Sequence, residues 1–323
     1  MRFALSTVSA LAVASVALGQ EYPDPNPVPQ ADGTNLWYVG NNTQYPVIQD
    51  VLDAVSDGDE VVVRGGLYVE SLHIDNNEIT MRPFVTSSTL GAEYEDVIFL
   101  NPTEGFNNDN GYAMKLEGGR GTYIGIPRQF TELSNGLDVE TKIIPRDPGT
   151  YAAQGEPQSL NSIANFDGAA FEFRSRSLDD VAIWSDSGKG TFKSAYVTSE
   201  QGLGGGIMVT GADNQTMFVG ITLESLFATG AIHDESGEPV CVVNVTGDLS
   251  TRARFHNCNV INNDSAGYGV VYMNGADTEW HSSIIDNNDS RAADGTIMAV
   301  NGRGNFDNCD IVGNESGLSL IHI

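Results

Sequence analysis

The chain has 323 residues, 40% of them hydrophobic and 18% charged, which is ample for a large core. Asp and Glu number 43 against 16 Lys and Arg, a net charge of -27. Such a surface repels nucleic acid and anionic lipid, and no nucleic-acid partner is expected. With three cysteines, an odd number, disulfides do not form the framework.

The first residues, MRFALSTVSALAVASVALGQ, carry Arg2, an apolar run from Phe3 to Val16, and small residues at Ala17 and Gly19. This pattern predicts a signal peptide over 1–19 and an exported protein, secreted or held at the cell surface. No later stretch has the length of a membrane span. Pro23, Pro25, Pro27 and Pro29 alternate in a predicted extended linker over 20–35. The remainder, 36–323, reads as one domain.

Within 36–58, Val47, Ile48, Val51, Leu52 and Val55 recur at helical spacing and predict a short capping helix ending at Gly58. DEVVVRGGLYVESLHIDNNEITMRPF then gives short β-rich runs broken by Gly-Gly and Asn-Asn. Further strands are expected at DVIFL, YAMKL, GTYIGI, AAFEFRS, DVAIWS and KSAYVT. Between them, 127–167 is polar, punctuated by Pro127, Pro145, Pro148 and Pro157, and reads as a long loop insertion.

After Gly202 the chain repeats itself. FHNCNVINNDS (255–265), WHSSIIDNNDS (280–290) and FDNCDIVGNES (306–316) share an aromatic column (Phe255, Trp280, Phe306), a small column (Cys258, Ser283, Cys309) and a branched column (Val260, Ile285, Ile311). A fourth column is Asn263, Asn288 and Asn314. Four further lines end on Gly211, Gly247, Gly275 and Gly302. Aligned on that glycine, they set Ile207, Val243, Val271 and Met298 in one inward column and Val209, Val245, Met273 and Val300 in another; Met208 and Tyr272 then face out. A short period with alternating sides is a solenoid of β-strands. Parallel stacking puts equivalent residues about 4.8 Å apart, so the Asn column becomes a side-chain ladder.

These lines, with GGGIMVTG and GVVYMNG, resemble the right-handed parallel β-helix repeat proteins that bacteria secrete. They are also similar to the repeats of polymorphic outer-membrane proteins and their pectin-lyase-like relatives. The resemblance implies an all-β right-handed parallel β-helix with a short N-terminal capping helix and an irregular central insertion. It does not select a function, because this architecture carries enzymes, adhesins and inert scaffolds alike. GGLYVES, through Gly66, Tyr68 and Glu70, resembles the Gly-x-Tyr-x-Glu element that opens pectin methylesterases. The rest of that family's pattern is absent, and a first coil turning on Gly65 and Gly66 reads the same way. The chain ends on GLSLIHI where another rung is due, so the C-terminus is expected to be truncated.

The candidate chemistry is sparse. A uronate lyase needs a strong base and cations; Arg174 and Arg176 would supply them if Phe171 and Phe173 face the core. Asp179, Asp180 and Asp186 follow as oxygen ligands for Ca2+. Asp264, Asp289 and Glu315 stack carboxylates at the Asn turn and are a second Ca2+ candidate. His256, His281 and Asp307 form an outward column of metal-ligand types that is read as a polar stripe. The expectation is a non-catalytic exported protein offering a flat face to polysaccharide or to a surface partner. A lyase or glycoside hydrolase of acidic polysaccharide is the enzymatic alternative. A structural passenger of a larger anchored surface protein is the third reading.

Overall fold

The computed structural model describes residues 27–41, 43–88, 91–94, 97–102, 110–119, 121–125, 171–200, 202–290 and 295–316. The expected signal peptide and the whole of the expected 127–167 insertion lie outside them. The strands are sorted into three long parallel sheets of ten, eight and seven strands, and a fourth of four short strands. The chain visits them in rotation. Arg252–His256 lies in the first sheet, Asn259–Ile261 in the second, Asp264–Ser265 in the fourth and Val271–Asn274 in the third; Asp277–His281 then re-enters the first beside Arg252–His256. This is a right-handed parallel β-helix.

The aromatic column is longer than the repeat suggested. Phe192, Phe218, Phe255, Trp280 and Phe306 stack with centroids 5.4, 5.0, 3.9 and 5.8 Å apart and planes within 14° of parallel. All but Phe306 are completely buried. Burial of each such ring contributes about 1.5–3 kcal/mol. The Asn ladder forms as expected. Asn288 Oδ1 accepts from both the backbone N–H and the side-chain amide of Asn263, at 3.0 Å each. Asn314 Oδ1 accepts likewise from Asn288, at 3.1 and 2.9 Å.

The same eleven residues also encode the corners. Asn257, Ser282 and Asn308 (φ 51°, 49° and 53°) turn the chain from the first sheet into the second. Asn262, Asn287 and Gly313 (φ 54°, 52° and 65°) turn it out of the second. These are left-handed conformations, which Gly and Asn accept at least cost. In Asn262-Asn263 and Asn287-Asn288 the two adjacent asparagines therefore differ in role: the first bends the backbone and the second builds the ladder.

The expected strands of the middle region are present, and those described stack in the three long parallel sheets. Tyr123–Gly125 stands in the first sheet, and the next described strand, Phe171–Ser175, stands in the second. The last line of the glycine alignment is off by one. Val271 pairs with Ile297 and Met273 with Ala299, so Ile297 and Ala299 pack on the core, while Met298 pairs with Tyr272 and Val300 with Asn274. Asn301, at φ 53°, takes the left-handed turn that Gly275 (φ 73°) makes one coil earlier, so Gly302 is not the closing residue.

At the N-terminal end the helix is shorter than the spacing implied, Ile48–Leu52, and Val47 is 41% exposed. Ile48, Val51 and Leu52 are buried over the first coil. The end of the Pro-rich stretch is also structured: Val28–Pro29 pairs antiparallel with Asn35 and Leu36. The Gly-x-Tyr-x-Glu element holds this cap together. Tyr68 donates to Arg64 O at 2.6 Å, and the Glu70 carboxylate accepts from the backbone N–H of Ile48 (3.0 Å) and Gln49 (3.3 Å). Asp59 accepts from Trp37 Nε1 (2.9 Å), Asn35 N (2.7 Å) and Ser56 N (3.1 Å).

Candidate binding face

Alternation along the first sheet sends Val61, Met81, Ile124 and the ring stack inward. The residues between them face out in straight columns. One runs Glu60, Thr80, Tyr123, Thr191, Met217, Arg254, Glu279, Asn305. The next runs Arg82, Lys193, Val219, His256, His281, Asp307, with Gly125 between the first two. Arg252, Asp277 and Arg303 form a shorter third column. Neighbours in a column are one strand apart, about 4.8 Å.

Much of the charge on this face is paired across or between rungs. Arg254 meets Glu279 at 3.2 Å; Asp277 lies between Arg252 (3.7 Å) and Arg303 (3.6 Å); Arg82 pairs with Glu60. His256 and His281 stack at 4.9 Å with planes 14° apart, and His281 Nδ1 lies 3.4 Å from Asp307. Partial burial, then the nearby His281 and Arg254, lower the His256 imidazole below its ordinary range. Over the rungs Arg252–His256, Asp277–His281 and Arg303–Asp307 the face is a lattice of guanidinium, imidazole, carboxylate and amide groups at strand spacing, able to hydrogen-bond an extended chain laid along it, whereas Tyr123 of the same column is only 6% exposed.

The arginines singled out from sequence stand on the second sheet. Phe171 and Phe173 are buried, so Arg174 does face outward as anticipated. Its guanidinium is paired with Glu172 of its own strand, and Arg176 with Glu200 at 2.8 Å. Asp179 and Asp180 do not join them. Asp180 Oδ2 accepts from Ser177 N at 2.9 Å and Asp179 Oδ1 from Ser177 Oγ at 2.8 Å, so both shape the turn that follows the strand. Asp186 is at the end of a third-sheet strand, where it accepts from Thr210 Oγ1 at 3.3 Å. Asp264, Asp289 and Glu315 stand in register on the fourth sheet, one per coil. Among the described residues no three His, Cys, Asp or Glu side chains gather about one point as metal ligands would.

Met208 and Tyr272 correct a further expectation. Both face away from the coil interior, but they are 0% and 7% exposed and offer no surface to a sugar. Met208 joins Tyr112, Val181, Trp184 and Val240 in a second apolar cluster outside the main core. The segment 229–240 straps across it. Lys115, buried on the same outer side, sits 3.9 Å over the Trp184 ring and pairs with Glu235 (2.7 Å) and Glu117 (3.3 Å). Burial opposes the Lys115 charge, but these carboxylates outweigh it and hold the ammonium above the ordinary lysine range. His233 packs on Trp184 at 5.1 Å and lies 3.2 Å from the Gly111 carbonyl. Its Nδ1 accepts from Ser236 N at 3.2 Å. Burial lowers the His233 imidazole, against the raising effect of that carbonyl and of Glu235, Asp180 and Asp179.

Sequence reasoning missed this strap, although its length signalled it. Leu226 and Asn263, linked on adjacent coils, are 37 residues apart, whereas Asn263 and Asn288 are 25 apart. The three cysteines are free; burial pushes the Cys258 thiol up to about 12 and raises that of Cys241 as well.

No protein-family model matches the sequence, and no curated protein matches it. Among solved structures, a pectin methylesterase from Aspergillus niger in deglycosylated form aligns at 12% identity over 85% of this chain and 85% of its own, with a TM-score of 0.41. A mutant pectin methylesterase in complex with a hexasaccharide aligns at 9% identity over 88% and 90%, with a TM-score of 0.37.

Proposed function

We propose that this is an exported, non-catalytic β-helix protein that binds an extended polysaccharide along the outer face of the ten-stranded sheet. The observation that carries the reading is the in-register lattice on that face. Paired charges, stacked imidazoles and an amide line the three successive rungs Arg252–His256, Asp277–His281 and Arg303–Asp307, at a period close to that of an extended sugar chain. A partner hydrogen-bonded by such a lattice gains from many weak contacts rather than one deep pocket. Self-neutralised charge favours neutral or weakly charged glycans, because the overall -27 opposes the approach of polyuronates. The enzymatic alternative loses support with Arg174 and Arg176 each engaged by a carboxylate.

The test is a panel of neutral and acidic polysaccharides, assayed for binding and for release of unsaturated or reducing ends. Binding of a neutral glycan without turnover, weakened at least tenfold in the Arg254→Ala/His281→Ala double variant, is expected. Turnover lost in Arg174→Ala or Arg176→Ala would replace this reading with a lyase. Silence in both assays would favour a structural passenger.

A further inference from the structure

The strap 229–240 lies on the outer face of the third sheet, where the side chains of successive coils form one row. His73, Lys115, Trp184, Met208, Asn244 and Tyr272 stand there in register, one per strand. Lys115, Trp184, Met208 and Asn244 are each buried although they face away from the coil interior. The backbone of the strap is bonded to itself: Val240 N donates to Ala231 O (2.7 Å), His233 N to Glu238 O (2.9 Å) and Gly237 N to His233 O (2.8 Å). Side chains tie it to the sheet. His233 packs on Trp184, Glu235 pairs with Lys115, Ser236 Oγ donates to Met208 Sδ at 3.2 Å, and Asn244 Nδ2 donates to Pro239 O at 2.6 Å. Of the strap's residues, His233 is the one whose ordinary range lies near neutral pH. Two hydrogen bonds fix its neutral form. Nε2 lies 3.2 Å from Gly111 O and must donate to it, so Nδ1 carries no proton and accepts from Ser236 N at 3.2 Å.

We propose that His233 is the acid-sensitive catch of the strap: a proton on Nδ1 frees 229–240 from the third sheet and uncovers Lys115, Trp184 and Met208, while the coils stay folded. That proton sets two donors face to face, Nδ1–H against Ser236 N–H, and charges a ring that is 1% exposed. Lifting the strap returns the charged ring to water. The charged groups around the ring do not remove the cost. Burial lowers the imidazole, and it outweighs the raising effect of the Gly111 carbonyl, of Glu235 on the strap, and of Asp180 and Asp179 in the turn before Val181–Asp186. Asp234 and Glu238 flank the ring on the strap. On the strand Tyr112–Glu117, Lys115 is held by Glu235 and Glu117. The tie that His233 supplies is therefore complete above about pH 6.5 and lost as pH falls through its folded value. This catch is independent of the glycan face, which belongs to the first sheet.

The test follows Trp184 by acrylamide quenching of tryptophan fluorescence in the full chain, from pH 7.5 down to 5. Acrylamide is neutral, so the charge of -27 does not bias its approach. A quenching constant that rises about twofold or more below about pH 6.5, with unchanged far-ultraviolet circular dichroism, is expected. His233→Gln keeps a donor and an acceptor but takes no proton, and should show no rise. Trp184→Phe should also remove it, because Trp37 and Trp280 are buried in the main core. Hydrogen exchange of the wild-type chain, corrected for intrinsic rate, is the second readout. A hairpin this short is not stable off the sheet, so protection over 231–238 should fall about tenfold or more across the same range while that over 243–246 holds. Quenching and exchange that are both indifferent to pH overturn the proposal. So does a rise that persists in His233→Gln, because another group is then the sensor. Loss of protection in both segments together overturns it as well, because the coils then unfold with the strap.

Discussion

Trp280 lies within the ring stack, fully buried, and its indole N–H has no acceptor among the described residues. An orphaned buried donor costs about 1–3 kcal/mol, so part of what the large ring contributes is cancelled. Trp280→Phe keeps the stack and removes the orphan; it is expected to cost less than about 1.5 kcal/mol, whereas Trp280→Ala should cost about 3–5 kcal/mol. Urea unfolding of the two variants checks this, and equal losses would mean that the stack contributes little. The adjacent asparagines give a sharper contrast. Asn288 Oδ1 receives two donors from Asn263, and its amide donates to Val260 O at 2.8 Å. Asn288→Ala strands all of these and is expected to cost at least ~2 kcal/mol. Asn287→Gly keeps the left-handed turn and should stay within about 0.5 kcal/mol. The ladder was legible because its asparagine stands in every copy. The turn role of Asn262 and Asn287 was not, because Gly313 fills that column in the third copy, and a single left-handed residue leaves no periodicity.

For single elements, closure of the N-terminal end and coverage of the third sheet are achieved differently. The helix depends on Glu70, which supplies acceptors to its first N–H groups; Glu70→Ala is expected to lower stability by about 1 kcal/mol, read by thermal unfolding. The strap depends on a neutral His233, whose Nδ1 must accept from Ser236 N. Its folded-state pKa lies below the ordinary 6.5. The unfolded chain therefore binds the proton first, and the stability that His233 contributes is complete above about pH 6.5 and lost as pH falls through the folded value. Wild-type Tm should accordingly fall more between pH 7.5 and 5.5 than that of His233→Gln. Parallel curves would remove His233 from the account. The strap was hidden in the sequence because it packs on an outer sheet face, where alternation predicts only exposed residues. Met208 and Tyr272 followed the alternation and were still buried. The slip at Ile297 has a similar cause: the turn residue moved from Gly to Asn301 while a glycine remained next to it.

Across the whole molecule, the repeat specifies coil, core and corner, and so the fold can be read from little more than three copies of eleven residues. The binding face cannot be read so easily, because its columns become neighbours only through stacking. Arg254 meets Glu279 across 25 residues of chain, and nothing local marks the pair. The proposed glycan ladder therefore stands or falls with the register of the ten-stranded sheet. Thr80 and Asn305 occupy the same outward column six strands apart, through Tyr123, Thr191, Met217, Arg254 and Glu279. At one strand spacing per step their backbones are about 29 Å apart. Spin labels placed by Thr80→Cys and Asn305→Cys, in a Cys309→Ser background, measure this by pulsed electron resonance. A single narrow distribution centred within label length of about 29 Å is the result the account predicts. A broad distribution, or one centred beyond about 45 Å, would mean that the coils do not stack in this register and that the face does not exist.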